Sequence, residues 1–282
     1  MKLKQWVKSP KAYVIYVMLA FLTIASLASH SWEGAVNALI AVIVTMAVDV
    51  LCSVIAKRKR IMPDGAAITG LIVALILSIT SPWYILASTS AISILSKHLI
   101  TYKKRPIFNP AMFGLLVSVP LFHSQQSWWG AFGDLSGWYV PLLLIGGYWV
   151  TSRVQKFPQV FAFLGVYLLT LLAISRGILP LDAAALQAGG FYDALRPPFI
   201  NATLFFALLM LTDPPTSPAK TGDQIVFGTL AALAGAIVYG ISGGLIYLFI
   251  GLLIGNCYQW IRAKFFKRIV KPGNAAVRKP GT

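Results

Sequence analysis

Charged residues are scarce. Asp, Glu, Lys and Arg make up 11% of the 282 residues, and only 8 of them are acids. A water-facing domain carries about 25%, so this chain cannot surround itself with a soluble enzyme's surface. Its 57% hydrophobic content and mean hydropathy of +0.75 exclude a disordered linker. Cysteine is nearly missing: Cys52 and Cys257 cannot build a disulfide scaffold, and zinc or iron–sulfur sites need about four ligands. Both sit in apolar stretches and read as buried small side chains. Histidine is limited to three residues. His30 and His123 fall near the outer ends of their segments, but nothing sets them on facing helix stripes, so no haem is expected. His98 reads as an anchor within a cation cluster. A Gly-rich phosphate loop, an HExxH motif and a Ser-His-Asp pattern are all missing, which excludes an ATPase.

What is present is a series of long apolar runs. Spanning helices need about 20 mostly apolar residues, and segments fall at roughly 12–29, 35–56, 65–80, 83–100, 110–122, 138–152, 158–175, 198–212, 224–239 and 241–261. The expected fold is an all-α polytopic membrane protein of about ten spanning or half-spanning helices. The first segment reads as a retained span rather than a cleaved leader. Residues 1–11 form a basic cytoplasmic N-terminus, 12–261 a single helical membrane domain, and 262–282 a basic cytoplasmic tail. Five plus five segments suit an inverted repeat, although residue-level similarity between the halves is not visible.

The net charge of +16 follows the same topology. With both termini inside, the N-terminal lysines, Lys57 to Arg60, Lys97, Lys103 to Arg105, Arg153, Lys156, Lys220 and the basic tail are all cytoplasmic. Only Arg176 and Arg196 lie outside. Such asymmetry orients membrane proteins, so nucleic acid is not an expected partner. Trp128, Trp129, Trp138 and Tyr139 read as an interfacial belt. Gly251 and Gly255 form a small-xxx-small pair that serves close packing within the chain or a homodimer.

Two segments are broken. After Asn109-Pro110 only 13 residues follow, roughly 20 Å of helix and too short for a ~30 Å core. Asn109 suits an N-cap and Pro110 the first helical position. The second break is Thr212-Asp213-Pro214-Pro215-Thr216-Ser217-Pro218, where adjacent prolines end a helix in a rigid turn carrying hydroxyls and one carboxylate. Both breaks face the cytoplasm and point to a buried ligand site, with ordinary loop turns as the alternative. Asp49 is an acid inside an apolar segment. It reads either as a cation or proton site or as a structural partner of Lys97. Asp64 reads as a cap for the third segment.

Phe108-Asn109-Pro110-Ala111-Met112-Phe113-Gly114 and Leu211-Thr212-Asp213-Pro214-Pro215-Thr216-Ser217, the latter followed by Ile225-Val226-Phe227-Gly228, resemble the motifs of the RnfD/NqrB family of membrane proteins. Lys97, the acid of segment two and Thr69-Gly70 also fit, and the resemblance covers about residues 45–260. It implies a plasma-membrane subunit of a redox complex that couples electron transfer to sodium or proton movement. It also implies a noncovalent riboflavin or FMN near the inner side, beside other electron-transfer subunits or a flavoprotein reductase. By this resemblance Phe108, Asn109, Thr203, Thr212, Asp213 and Thr216 line or support a flavin or quinone region, and Asp49, Asp213 and Lys97 handle cations. The family's covalent FMN is carried by a threonine of an S-G-A-T-like motif on the outer loop after the FNPA segment. Here that loop, His123–Gly137, contains Ser136-Gly137 but no threonine, so covalent FMN is not expected. Thr203 keeps its spacing from Thr212 within an altered Ile200-Asn201-Ala202-Thr203. The competing readings are a solute or ion channel without redox chemistry, in which the broken helices form the path, and a scaffold subunit that only binds partners.

Overall fold

A computed structural model describes residues 3–58, 61–133, 135, 137–179 and 194–265. Lys2, Lys59, Arg60, Ser136, much of the second outer loop and the tail beyond residue 265 lie outside the described residues. Each of the ten expected segments is helical, preceded by a short N-terminal helix α1 (Leu3–Val7). The first half comprises α2 (Pro10–Ala28), α3 (Glu33–Ile55), α4 (Asp64–Ile76), α5 (Trp83–Leu99) and α6 (Pro110–Phe122). The second comprises α7 (Val140–Val154), α8 (Phe157–Ser175), α9 (Phe199–Phe205), α10 (Thr221–Ser242) and α11 (Ile246–Phe265). Between α5 and α6 lies a small antiparallel hairpin of β1 (Thr101–Tyr102) and β2 (Arg105–Pro106). Among the described residues, α2, α3, α8 and α10 are long and apolar enough to cross a membrane, and α4 and α6 are shorter apolar helices.

Local sequence sets where these helices start. Ser9 accepts a hydrogen bond from the Ala12 amide ahead of α2, and Pro10 occupies the first turn. Asn109 and Pro110 open α6 in the same way. The two halves repeat one packing pattern: α3 lies against α5 and α5 against α6, as α8 lies against α10 and α10 against α11. Each half also carries a short third helix, α4 or α9. The halves join through α2 with α4 and α7, and through α6 with α11. Gly251 and Gly255 serve packing inside the chain. A Cβ on Gly251 would come within 2.5 Å of the Ala231 carbonyl, and one on Gly255 would press on the Phe227 ring.

Several expectations need correction. The third segment does not run to residue 80. Helix α4 stops at Ile76 and Leu77 turns extended. The outer loop after α6 folds in to meet it: Ser127 and Trp128 donate their amides to the Ile76 carbonyl at 3.0 Å, and Ser78 donates to Gln125 at 3.0 Å. This loop occupies the space the short helix leaves. Trp128 and Trp129 are therefore core residues rather than belt residues, at 0% and 8% exposure, while Trp138 is 88% exposed. The Trp129 indole donates to the Ala74 carbonyl at 2.7 Å, and its ring lies where a side chain on Gly34 would stand. Asp64 is not the cap of α4; Pro63 holds that position, and the Asp64 carboxylate accepts from the Gly65 amide and pairs with Lys11 at 2.9 Å. Cys52 and Cys257 are half-buried rather than buried, because each lies on a helix flank that is only partly covered.

Candidate functional site

The two breaks meet at the cation-rich end of the bundle. Asn109 is 2% exposed; its side-chain oxygen accepts from the Met112 amide at 3.1 Å, capping α6. Helix α9 continues as a π turn, Phe206–Met210, in which the Leu211 amide reaches back to the Phe206 carbonyl at 2.9 Å. Single π turns recur at functional sites because they free carbonyls from the regular ladder. The Met210 carbonyl here receives the Asn109 side-chain nitrogen at 3.5 Å, which ties one break to the other. Beyond it, Thr216 donates to the Asp213 carboxylate at 2.9 Å and Ser217 donates to the Asp213 carbonyl at 2.7 Å, closing the proline turn on itself.

Three buried amides that the motif reading passed over hold this arrangement. Asn256, on α11 and 0% exposed, accepts from the Asn109 amide at 2.9 Å and donates to the Thr216 carbonyl at 3.2 Å, so one side chain clamps both breaks. Gln159 on α8 donates to the Leu211 carbonyl at 2.5 Å. Gln224 on α10 donates to the Gln155 and Ala219 carbonyls at 3.2 and 3.0 Å. The available signal was an uncharged amide inside an apolar run, which is costly unless it is paired. The Ile225–Gly228 motif has a packing role beside them: a Cβ on Gly228 would collide with the Gln159 carbonyl, so glycine lets α10 approach α8 here.

A cavity of about 550 Å³ opens between α2, α4, α7 and the two breaks. Val14, Ile68, Ile72, Val150 and Leu209 give it apolar walls, and Asn109, Thr212 and Asp213 bring the breaks to its edge. The Thr212 hydroxyl donates to the Leu208 carbonyl at 2.9 Å and Thr69 donates to Gly65 at 3.0 Å, so both offer the cavity acceptor lone pairs only. The cations Lys97, Lys104 and Arg105 also line it, and Lys97 gives one of its three N–H donors to Asp49. Lys156 lies behind the turn at 4% exposure and donates to the Pro218 carbonyl. Burial holds its pKa down at about 8 against the pull of Asp213. Burial likewise pushes Asp213 up to about 6, against the Thr216 hydrogen bond and the Lys156 charge.

The structure thus gathers Asn109, Thr212, Asp213 and Lys97 at one cavity, and places the remaining candidates elsewhere. Phe108 stacks on Phe113 at 5.9 Å between ring centres, outside the cavity lining. Thr216 faces a second, smaller cavity. Thr203 lies about 13 Å of helix before Thr212 and shares a hydrogen bond of 2.7 Å with the Tyr247 hydroxyl, inside a cluster of buried tyrosines. Asp49 stands behind Lys97: one of its carboxylate oxygens meets both Lys97 Nζ and His98 Nε2 at 2.8 Å. The pairing with Lys97 is present, and His98 is a second partner rather than a membrane-surface anchor.

Comparison with known proteins gives two similarities. A sequence profile described as the NQR2, RnfD, RnfE family matches residues 4–137. Over that stretch the chain is similar to the family. The matched stretch of the NQR2, RnfD, RnfE profile contains the Asn109 break, Asp49 and Lys97, and ends within the outer loop. The chain is also similar to the D component of an ion-translocating oxidoreductase complex of Cellvibrio japonicus (strain Ueda107), at 26% identity over 288 residues that cover 80% of each chain. Like the NQR2, RnfD, RnfE proteins it resembles, it is an integral, multi-pass membrane protein.

Proposed function

We propose that this chain is the membrane subunit of a redox-linked electron-transport system, and that its central cavity holds a noncovalent flavin or a quinone. The observation that carries this reading is the meeting of both broken helices at one apolar cavity with polar edges. Its volume lies within the ~300–1,000 Å³ range of small-molecule sites. A flat ring system would lie against the apolar side chains of Ile68, Ile72 and Leu209. The Thr69 and Thr212 oxygens would accept from a ring N–H, and Lys97 would donate to a ring carbonyl or offset the negative charge of the reduced ring. Arg105 and Lys104 at the mouth suit a phosphate, which FMN carries and riboflavin lacks. The bound group supplies the electron transfer; the chain binds, orients and shields it. The outer loop lacks the threonine that a phosphoester needs, so covalent attachment is no part of this reading.

Coupling to cation movement follows from the charges beside the cavity. Asp213 reaches it with a carboxylate that accepts from Thr216 and has no ion pair within 4 Å among the described residues, so it is the acid best placed to meet an entering cation or proton. Asp49 is already matched by Lys97 and His98 and acts on the cavity through Lys97. Other electron-transfer subunits or a flavoprotein reductase would dock on the cytoplasmic face. A passive solute path is the second reading, favoured by the equivalent placement of short α4 and α9 in the two halves.

Cofactor extraction from protein purified in detergent from native membranes tests both. Yellow protein absorbing at about 450 nm, with flavin released on denaturation, or a quinone recovered by solvent, supports the redox reading. Colourless, quinone-free protein that conducts a solute in liposomes overturns it in favour of the path.

A further inference from the structure

A second cavity, of about 360 Å³, lies on the other side of the proline turn, between the β1–β2 hairpin and the end of α11. It is distinct from the proposed flavin site, although the two share Arg105, Pro106 and Pro215 as a common wall. Its lining includes Lys103 and Arg105 and no acid. Asp223 pairs with Arg262 at 2.6 Å, and Asp213 lines the first cavity. Gln259 also lines it, and the Gln259 side-chain oxygen is buried without a hydrogen-bond partner. The two ends of a side-chain amide exchange by rotation, so Gln259 can present an N–H₂ donor to the cavity. Trp260 supplies an aromatic wall, with the Lys264 ammonium 5.2 Å from its ring.

The backbone of the hairpin is the second observation. Its two turn residues, Lys103 and Lys104, have φ of 49° and 64°. Positive φ at both positions marks a type I′ two-residue hairpin turn, which ordinarily receives Asn-Gly or Gly-Gly. Lysine pays for this left-handed conformation with its Cβ. Topology by cation excess needs only the number of positive charges, and no strained turn or concave wall. The turn instead divides its lysines between the two cavities: Lys103 lines the second, with its ammonium 5.3 Å from the centre of the Tyr102 ring, and Lys104 lines the first. Local conflict of this kind concentrates at functional positions.

We propose that this second cavity is a binding site for a phosphate group at the cytoplasmic membrane boundary: the headgroup phosphate of an anionic phospholipid or a free phosphate anion. Lys103 and Arg105 supply the charge, Gln259 a neutral donor, and Trp260 the interfacial contact for the glycerol and acyl portion. The bound anion would rest against Pro215, Thr216 and Ser217, the outer face of the turn whose inner face edges the first cavity.

The full chain is reconstituted in nanodiscs of phosphatidylcholine alone or mixed with phosphatidylglycerol or cardiolipin, and retained lipid is counted by native mass spectrometry, with inorganic phosphate as the soluble competitor. Preferential retention of an anionic lipid is expected. Lys103→Asn is the main variant, because asparagine accepts positive φ and keeps the turn while removing the cation; it should weaken retention about fivefold, as should loss of any single cation near a membrane surface. Gln259→Leu should weaken it as well. Displacement by millimolar phosphate assigns the site to a free anion, and retention against phosphate assigns it to the lipid. Equal retention of neutral and anionic lipid together with no phosphate binding, or Lys103→Asn indistinguishable from wild type, overturns the proposal. Lys103 and Gln259 line the second cavity and not the first, so their variants should leave flavin content unchanged, and the two readings fail separately.

Discussion

Asn256→Leu tests the clamp that makes one site from two breaks. The change is close to isosteric and removes both hydrogen bonds of a fully buried amide, leaving the Asn109 N–H and the Thr216 carbonyl without partners. Net hydrogen-bond contributions average ~0.6 kcal/mol in membrane proteins and about 1 in soluble ones. Each stranded backbone group adds a desolvation cost of about 1–3 kcal/mol, part of which relaxation and the apolar contacts of leucine offset. A loss of about 2 kcal/mol overall is expected, which in a chain of this size lowers the melting temperature by roughly 4–8 °C. The measurement is thermal unfolding in detergent, followed by tryptophan fluorescence, with bound flavin or quinone per chain determined in parallel. Asn37→Leu is the control. That amide also bonds a backbone carbonyl, Ile79 at 2.9 Å, but at the far end of the bundle, so it should lower stability without changing ligand content. A melting temperature within about 1 °C of wild type and unchanged ligand content in Asn256→Leu would refute the clamp.

Other expectations concern packing, ion pairs and pH. Gly228→Ala should destabilise by about 1–3 kcal/mol in the same melts, since its Cβ would collide with the Gln159 carbonyl; Gly165→Ala, on an open flank of α8, should stabilise by about 0.5–1 kcal/mol. Asp49→Asn should lower stability and cation-coupled turnover in liposomes, and Asp49→Asn/Lys97→Met should recover the stability but not the coupling; recovery of both would show the pair to be structural only. Asp213 has its folded pKa raised, so the folded state holds its proton longer than the unfolded state and the stability it contributes falls as pH rises from about 4 to 6. Lys156 has its folded pKa lowered, so stability rises as pH climbs from about 8 to 10. Melting curves across pH should lose the acidic limb in Asp213→Asn and the alkaline limb in Lys156→Met.

Most of the architecture was legible because hydrocarbon-length apolar runs and one-sided cations are strong, local signals. The two breaks were legible for the same reason, since proline after an N-cap residue and paired prolines act within a few residues. The early end of α4 was not. Leu77 to Ile79 continue the apolar run, and only the amides of Ser127 and Trp128, some fifty residues later in the chain, make an extended backbone tolerable there. The burial of Trp128 depends on the same long-range pairing, so a tryptophan beside a polar loop looked interfacial. At the site, charged and proline-marked positions stood out, whereas Asn256, Gln159 and Gln224 did not, because an amide inside a helix acquires meaning only once its partner carbonyl is located. Thr203 shows the converse. Its spacing from Thr212 suggested a shared role, but helical rise separates them and gives Thr203 to the tyrosines.

The depth of the central cavity has an electrical consequence. Ile72, on its wall, lies about 12 Å of helix beyond Asp64, and the hydrocarbon layer is ~30 Å thick. If the cavity is water-filled to that point, much of the membrane voltage drops over the remaining distance, between Ile72 and the tryptophan-filled loop above it. A cation moving from bulk cytosol to the floor then crosses little of the voltage, while one moving from the floor to the outside crosses most of it, worth up to ~2.3 kcal/mol per 100 mV. The capacitive work of any pumping cycle through this protein is concentrated in the short dielectric plug formed by the end of α4 and Trp128.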